Sequence, residues 1–277
     1  MIAKTLLILG FLILTGYLSA QSSVRLAYNM PAGKTLSYKS VTSISQLMDI
    51  QGQSMEVMVN TAFGFSAKMV DKVEGNLKVN ITVDSLTMSI NAMGGLTNSR
   101  VREIENKSFN MIIAPTGRVV DLSEAENIKF NVESQGITNL SQSFNDVFPV
   151  LPDKAVSPGD TWSSVDTVRS SASTASTLHV LESRYRYDGV EKVNGIDCAK
   201  ISSTITGRSQ TQAQSMGMDI FYSGPVTGQV VTYFAIKEGY FLKQDVSTTL
   251  NGEIEISGAE NMAFPITVDT KTTTEAR

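Results

Sequence analysis

Few side chains in this sequence are able to do chemistry on their own, for its 277 residues hold one histidine, His179, and one cysteine, Cys198. A Ser-His-Asp arrangement would have to use His179, and no Gly-x-Ser-x-Gly turn exists to present a nucleophile. His179 stands between Leu178 and Val180 in an expected strand, where a partly buried strand residue is the ordinary reading. Thiolate chemistry at Cys198 would need a base close by. His179 is the only imidazole, and their two strands could be neighbours across the turn from Lys192 to Gly195. The competing reading of Cys198 is a buried thiol packed as a small apolar group. One Cys and one His exclude a structural zinc site. Close methionine pairs, Met55 with Met58 and Met216 with Met218, could offer thioethers to Cu(I). Met55 and Met58 have opposite strand parity, however, and methionine usually serves as adaptable apolar filler. The stretch Pro31-Ala32-Gly33-Lys34-Thr35 departs from a phosphate-binding loop, since Tyr28 stands where the first glycine is needed and the flanking strand and helix are missing. General acid-base work would fall to carboxylates such as Asp160, Glu182 and Asp197. No catalytic, cofactor or metal-ligating residue is assigned, and the expectation is a protein that is not an enzyme.

Composition narrows the partners. The formal net charge is −4, the sequence pI about 5.2, and 18% of residues are charged, so no global cationic surface is available for a phosphate backbone and nucleic acid is not an expected partner. At the N-terminus Lys4 precedes an apolar run from Thr5 to Leu18, which ends at Ser19-Ala20-Gln21. This order predicts a signal peptide over 1–20, cut between Ala20 and Gln21, although Leu18 occupies a place where a small side chain is preferred. The apolar run of about 14 residues is short against the roughly 20 of a spanning helix. No later run reaches that length, so the expected mature chain is exported, to the periplasm or beyond, without an integral membrane span. Asn80, Asn106 and Asn139 open Asn-x-Ser/Thr triplets, which matter only in a host that glycosylates them.

The elements that must position any site are strands. Leu77, Val79, Ile81 and Val83 are apolar while Lys78, Asn80, Thr82 and Asp84 are polar, and the phase then moves to Leu86, Met88 and Ile90. A phase change of one residue predicts a bulge near Asp84-Ser85. From Met55 to Met69 the odd positions other than Thr61 are apolar, longer than an ordinary strand, which predicts a curved sheet or partial barrel. Its inward face, with Met55, Val57, Phe63, Phe65 and Met69, is the candidate apolar ligand wall, since Met and Phe together can re-pack around differently shaped ligands. Asn251-Gly252, flanked by Leu250 and Ile254, predicts a tight hairpin, with Phe264, Ile266 and Val268 as the next strand. Against this rhythm, Ile137, Leu140, Phe144, Val147 and Phe148 fall at helical spacing, and Ser123 with Glu126 matches a capping box; residues 123–150 are read as a helical connection.

Three glycine turns repeat in order. Pro31-Ala32-Gly33-Lys34-Thr35 answers Ser157-Pro158-Gly159-Asp160-Thr161, Gly75 answers Gly195, and Gly117 answers Gly239, at offsets of 126, 120 and 122. The pattern predicts an internal duplication, with a first β repeat unit over 21–122 and a second over 151–277.

Pro152-Asp153-Lys154-Ala155-Val156-Ser157-Pro158-Gly159-Asp160-Thr161-Trp162 carries the Pro-x-x-x-Val-x-x-Gly-Asp-x-Trp signature and resembles a family of uncharacterised secreted bacterial proteins of similar length. Gln51 to Met58 and the turn Asn194-Gly195-Ile196-Asp197-Cys198 are similar too. The resemblance implies an exported bacterial all-β protein and brings no activity; read from its residues, the segment is a turn followed by Trp162 anchoring a strand.

The expected architecture is all-β, with two related antiparallel curved-sheet units, sandwich or partial barrel, joined by a short helical segment. Three functions stay open: an exported binding protein for a lipid or other hydrophobic ligand, a structural or protein-interaction module of the cell envelope, and a carboxylate-based hydrolytic enzyme. An apolar cavity would favour the first, a filled core the second, and a buried carboxylate pair the third.

Overall fold

The computed structural model describes residues 23–277 apart from 51, 93, 133–135, 216 and 258–260. The expected signal peptide, its cut between Ala20 and Gln21, and Met216 of the second methionine pair lie outside the described residues. Alternating side chains draw most of the described chain into strands. A first run holds β1 (Thr35–Ile50), β2 (Gln53–Val73), β3 (Asn76–Ala92), β4 (Gly95–Arg100), β5 (Ser108–Ile113) and β6 (Val119–Asp121). A middle stretch carries helix α1 (Ser123–Glu126), strands β7 (Lys129–Val132) and β8 (Gly136–Asn139), and helix α2 (Ser141–Phe144). The second run holds β9 (Thr161–Ser171), β10 (Ala175–Val193), β11 (Ile196–Ser215), β12 (Met218–Ala235), β13 (Tyr240–Ser257) and β14 (Met262–Ala276).

Twelve of these strands form one sheet, in the order β6-β5-β3-β2-β1-β14-β13-β12-β11-β10-β9 with β4 also on β3, while β7 and β8 form a separate pair. All the pairings are antiparallel. The fold is therefore all-β, as one large sheet and one small one, where two sheet units were expected. The reason is β14, which pairs with β1 from Tyr38↔Ala276 to Met48↔Ile266 and on its other side with β13, so the ladder runs unbroken between the halves. Nor does a helix join two units. Segment 123–150 holds two helices of four residues each around the β7–β8 hairpin. Ile137 belongs to β8 and is 57% exposed, while Leu140, Phe144 and Phe148 are buried. The capping box does not form, because Leu122 holds the N-cap position and the Ser123 N–H donates to Asp121 Oδ1.

Phe65 faces Val83 while the preceding Gly64 faces Ser85, leaving Asp84 as the extra residue of a bulge. That one residue keeps Leu86, Met88 and Ile90 on the face set by Leu77 to Val83. Asn251-Gly252 makes no turn; it lies inside β13, and Gly252 lacks the positive φ of a tight hairpin. Its requirement is closeness, since a Cβ there would stand 2.2 Å from the Ser223 carbonyl oxygen of β12. Gly207 on β11 is similar, with Val180 O 2.1 Å from where its Cβ would be. Parity puts both glycines on the face that carries Leu181, Ile205 and Val246, where a neighbouring backbone approaches closely.

The core gathers at one end of the strands. Tyr38 stacks between Phe65 at 5.2 Å and Phe241 at 4.7 Å, and Phe144 sets its ring edge-on to Phe63, Phe65 and Phe109. The segment before β1 ties this end shut: Val24 pairs with Val156, Asn29 N–H donates to Gly239 O, and Tyr28 Oη donates to Pro149 O. Gly159 N–H donates to Tyr187 O, and Trp162 stacks on Tyr185 at 5.3 Å, so the Gly-Asp-x-Trp segment is built into the edge of the sheet. Gly33, Gly75 and Gly117 stand before β1, between β2 and β3, and between β5 and β6; Gly159, Gly195 and Gly239 stand before β9, between β10 and β11, and between β12 and β13. All six have positive φ, from 72° to 94°.

Candidate functional site

An apolar sheet face alone does not make a site, because most of that face near the closed end is filled with rings. Along β9 to β13 it is open. There a cavity of about 420 Å³ has a floor of Leu181, Ile201, Ile205, Val230 and Val246, with Val119 on one side and Phe148-Pro149-Val150 capping one end. Strand alternation supplies these residues: the odd positions of β10 and β11 and the even positions of β12 and β13 point to one face. Polar groups are graded along it. Ser203 and Thr232 are buried, with Gln244 Nε2 donating to Thr232 Oγ1, whereas Arg118, Asp146 and Asp166 are the solvent-reached groups and form the mouth.

At the mouth, Arg118 Nη1 lies 3.7 Å from Asp166 Oδ1, and Ser164 Oγ donates to Asp166 Oδ2 at 2.7 Å. The Tyr185 hydroxyl lies 3.3 Å from Ser164 Oγ, so β9 and β10 share one polar chain beside the apolar floor. Trp162 Nε1, beneath it, is buried with no hydrogen-bond partner among the described residues. Surrounding protein pushes the Asp146 carboxyl above its ordinary pKa, and the nearby Asp166 charge adds to that push. Asp146 still reaches solvent, which moderates the effect.

The expected ligand wall lies elsewhere. Phe65 is fully buried and Phe63 packs beside it, both against Phe144; Met69 packs on the same core. Met55 and Val57 are half-buried on the same face of β2, further toward the other end of the strand, and none of the five lines the cavity. Protein rings occupy the space that Phe63 and Phe65 were expected to offer a ligand. Met55 and Met58 fall on opposite faces of β2, Met58 37% exposed.

Cys198 and His179 do not meet. His179 pairs with Ser209 on β11, eleven positions beyond Cys198 and so on the order of 35 Å away along the strand. Burial pushes the Cys198 thiol up to about 11 and holds His179 below its usual value. The three carboxylates considered for acid-base work are dispersed. Asp160 accepts from Ser157 N–H, Glu182 pairs with Arg184 and Asp197 with Lys192. Among the described residues no three His, Cys, Asp or Glu side chains converge to hold a metal ion. The carboxylates that do share a site, Asp146 and Asp166, escape a motif search. Only Asp166 leaves a trace in the sequence, as an acid in phase with Trp162 and Val168 on an alternating strand.

No protein-family profile matches the chain, and no curated protein matches it. Among solved structures, the chain is similar to a DUF1329 family protein from Desulfovibrio piger, at 11% identity over 84% of this chain and 83% of that one, with a TM-score of 0.17. It is similar also to Pseudomonas aeruginosa OccK2 (OpdF) in complex with glucuronate, at 4% identity over 90% and 100% of the two chains and a TM-score of 0.20. A triple mutant of Rhodopseudomonas blastica porin gives 9% identity over 88% and 100%, with a TM-score of 0.19. Likeness this slight carries no inference about function. Among the described residues no helix is long and apolar enough to cross a membrane, which says nothing of strands.

Proposed function

We propose that this chain is an exported, non-enzymatic β protein of the cell envelope that binds a lipid or other hydrophobic small molecule on the apolar face of β9 to β13. The cavity of about 420 Å³ carries this reading: its volume falls in the range of small-molecule sites, and it joins an apolar floor to a few convergent polar groups. Export follows from the Lys4, Thr5 to Leu18 and Ala20 pattern, and the Gly-Asp-x-Trp resemblance to secreted bacterial proteins agrees with it. The two meanders, β1 to β6 and β9 to β13, are read as an internal repeat sharing one sheet through β14, on the order of their six glycine turns, with β4 as an extra strand that has no counterpart in the second run. A second reading, a structural or protein-interaction module, is favoured by the ring cluster that fills the closed end around Tyr38 and Phe144.

Titration of residues 21–277 with an environment-sensitive apolar dye separates the two. A ligand protein gives saturable fluorescence without loss of β-sheet circular dichroism, competed by a lipid extract. Ile205→Glu, which puts a charge on the floor, should weaken it at least tenfold. Absence of saturable binding in a folded sample favours the interaction module.

A further inference from the structure

The mouth of the cavity is charged unevenly. Arg118 lies against Asp166 at 3.7 Å, which leaves one guanidinium facing two carboxylates. Asp146 has neither a hydrogen bond nor an ion pair within the described residues, and it lines the same mouth as Asp166. Deeper in, the polar groups are hydroxyls and an amide, Ser183, Ser203, Thr232 and Gln244, which bear no charge. The sign of a ligand's charge is therefore read at the mouth alone, and there an added positive charge meets two carboxylates against one guanidinium, while an added negative charge meets the reverse. Beyond the mouth, Leu181, Ile205 and Val246 offer an unbranched apolar chain a surface with no ionisable group on it.

We infer that the cavity takes an amphiphile whose head carries an ammonium group, seated between Asp146 and Asp166, with its hydrocarbon chain along Leu181, Ile205 and Val246. This rests on the ligand-binding reading above and adds the chemistry of the head group. An ammonium meets Asp146, unpaired among the described residues, without displacing Arg118 from Asp166, whereas a carboxylate head would have Arg118 as its only positive partner among the lining residues and would have to compete with Asp166 for it.

The test uses three probes of equal chain length, dodecylammonium, dodecanol and dodecanoate, each below its micelle concentration, displacing the apolar dye from residues 21–277 at low ionic strength. Dodecylammonium should displace the dye at about two- to fivefold lower concentration than dodecanoate, the range of partly exposed charge pairs, with dodecanol between. Raising salt should narrow the gap. Asp146→Asn and Asp166→Asn should each shrink the preference, read as the ratio of the two displacing concentrations within each variant. Glu253→Gln, on the outer face of β13 and equal in charge removed, should leave it intact. Dye binding with equal displacement by ammonium and carboxylate, or a preference lost equally in Glu253→Gln, overturns the inference and leaves the cavity reading standing. Failure of the dye itself to bind overturns both.

Discussion

Cys198 shows how burial decides reactivity. Its Sγ donates weakly to Ile196 O, the side chain is fully buried, and the thiol is pushed up to about 11, so almost no thiolate exists near neutral pH. In native protein it should resist iodoacetamide at pH 8 and react stoichiometrically in 8 M urea; mass spectrometry reads both, and rapid native labelling would contradict this burial. Asp146 gives the opposite lesson, a group reached by water but held above its ordinary pKa by surrounding protein and by Asp166. With its folded pKa raised, the native state keeps the proton to higher pH than the unfolded chain does. The stability from this group is therefore complete below the unfolded carboxylate pKa and is lost as pH rises through the folded one. Asp146→Asn, which cannot ionise, should raise the melting temperature at pH 7 and change it little at pH 3. An equal shift at both pH values would assign the effect to packing instead.

Elements were legible wherever a local pattern sufficed. Period-two alternation marked β2 and β3, and the phase change at Asp84 marked the bulge, because sheet faces are set residue by residue. The pair Asn251-Gly252 misled for a physical reason: the same glycine serves a tight turn and a close approach between strands, and only the neighbouring strand distinguishes them. Substitutions separate the two uses. Gly252→Ala or Gly207→Ala places a Cβ 2.2 Å or 2.1 Å from a backbone oxygen, so each should cost about 1–3 kcal/mol in urea unfolding, the range for overpacked sites. Loss of less than about 0.5 kcal/mol would mean that the sheet can flatten there. Of the helical spacing over 137–148, only Phe144 falls within a helix; Leu140 and Phe148 are buried outside it, and Ile137 is drawn by β7 into a hairpin.

Where the ring cluster ends and the cavity over β9 to β13 begins is a matter of the whole molecule. The segment around α2 brings Phe144 onto Phe63, Phe65 and Phe109, filling the inner face of the first run at that level, while Phe148 and Pro149 only cap the end of the second. Nothing local in the sequence says which face a middle segment will fill, so an apolar stripe on β2 and an unfilled face on β10 to β13 look alike until the chain is closed. The same closure joins the halves. β14 comes last in the chain yet lies between β1 and β13, and 15 residues of it contribute the only strand that connects the two runs within the sheet. Removing it would bare two long edges, which are ready templates for aggregation. A ladder continuous through β14 should unfold as one unit. Trp162 is the chain's only tryptophan and sits on β9 at the far edge, so its fluorescence reports that edge, whereas far-UV circular dichroism sums over every strand. In urea the two signals should give coincident midpoints and equal slopes. Separate transitions, with Trp162 leaving before or after half of the dichroism is lost, would mean that the runs fold independently despite their shared strand.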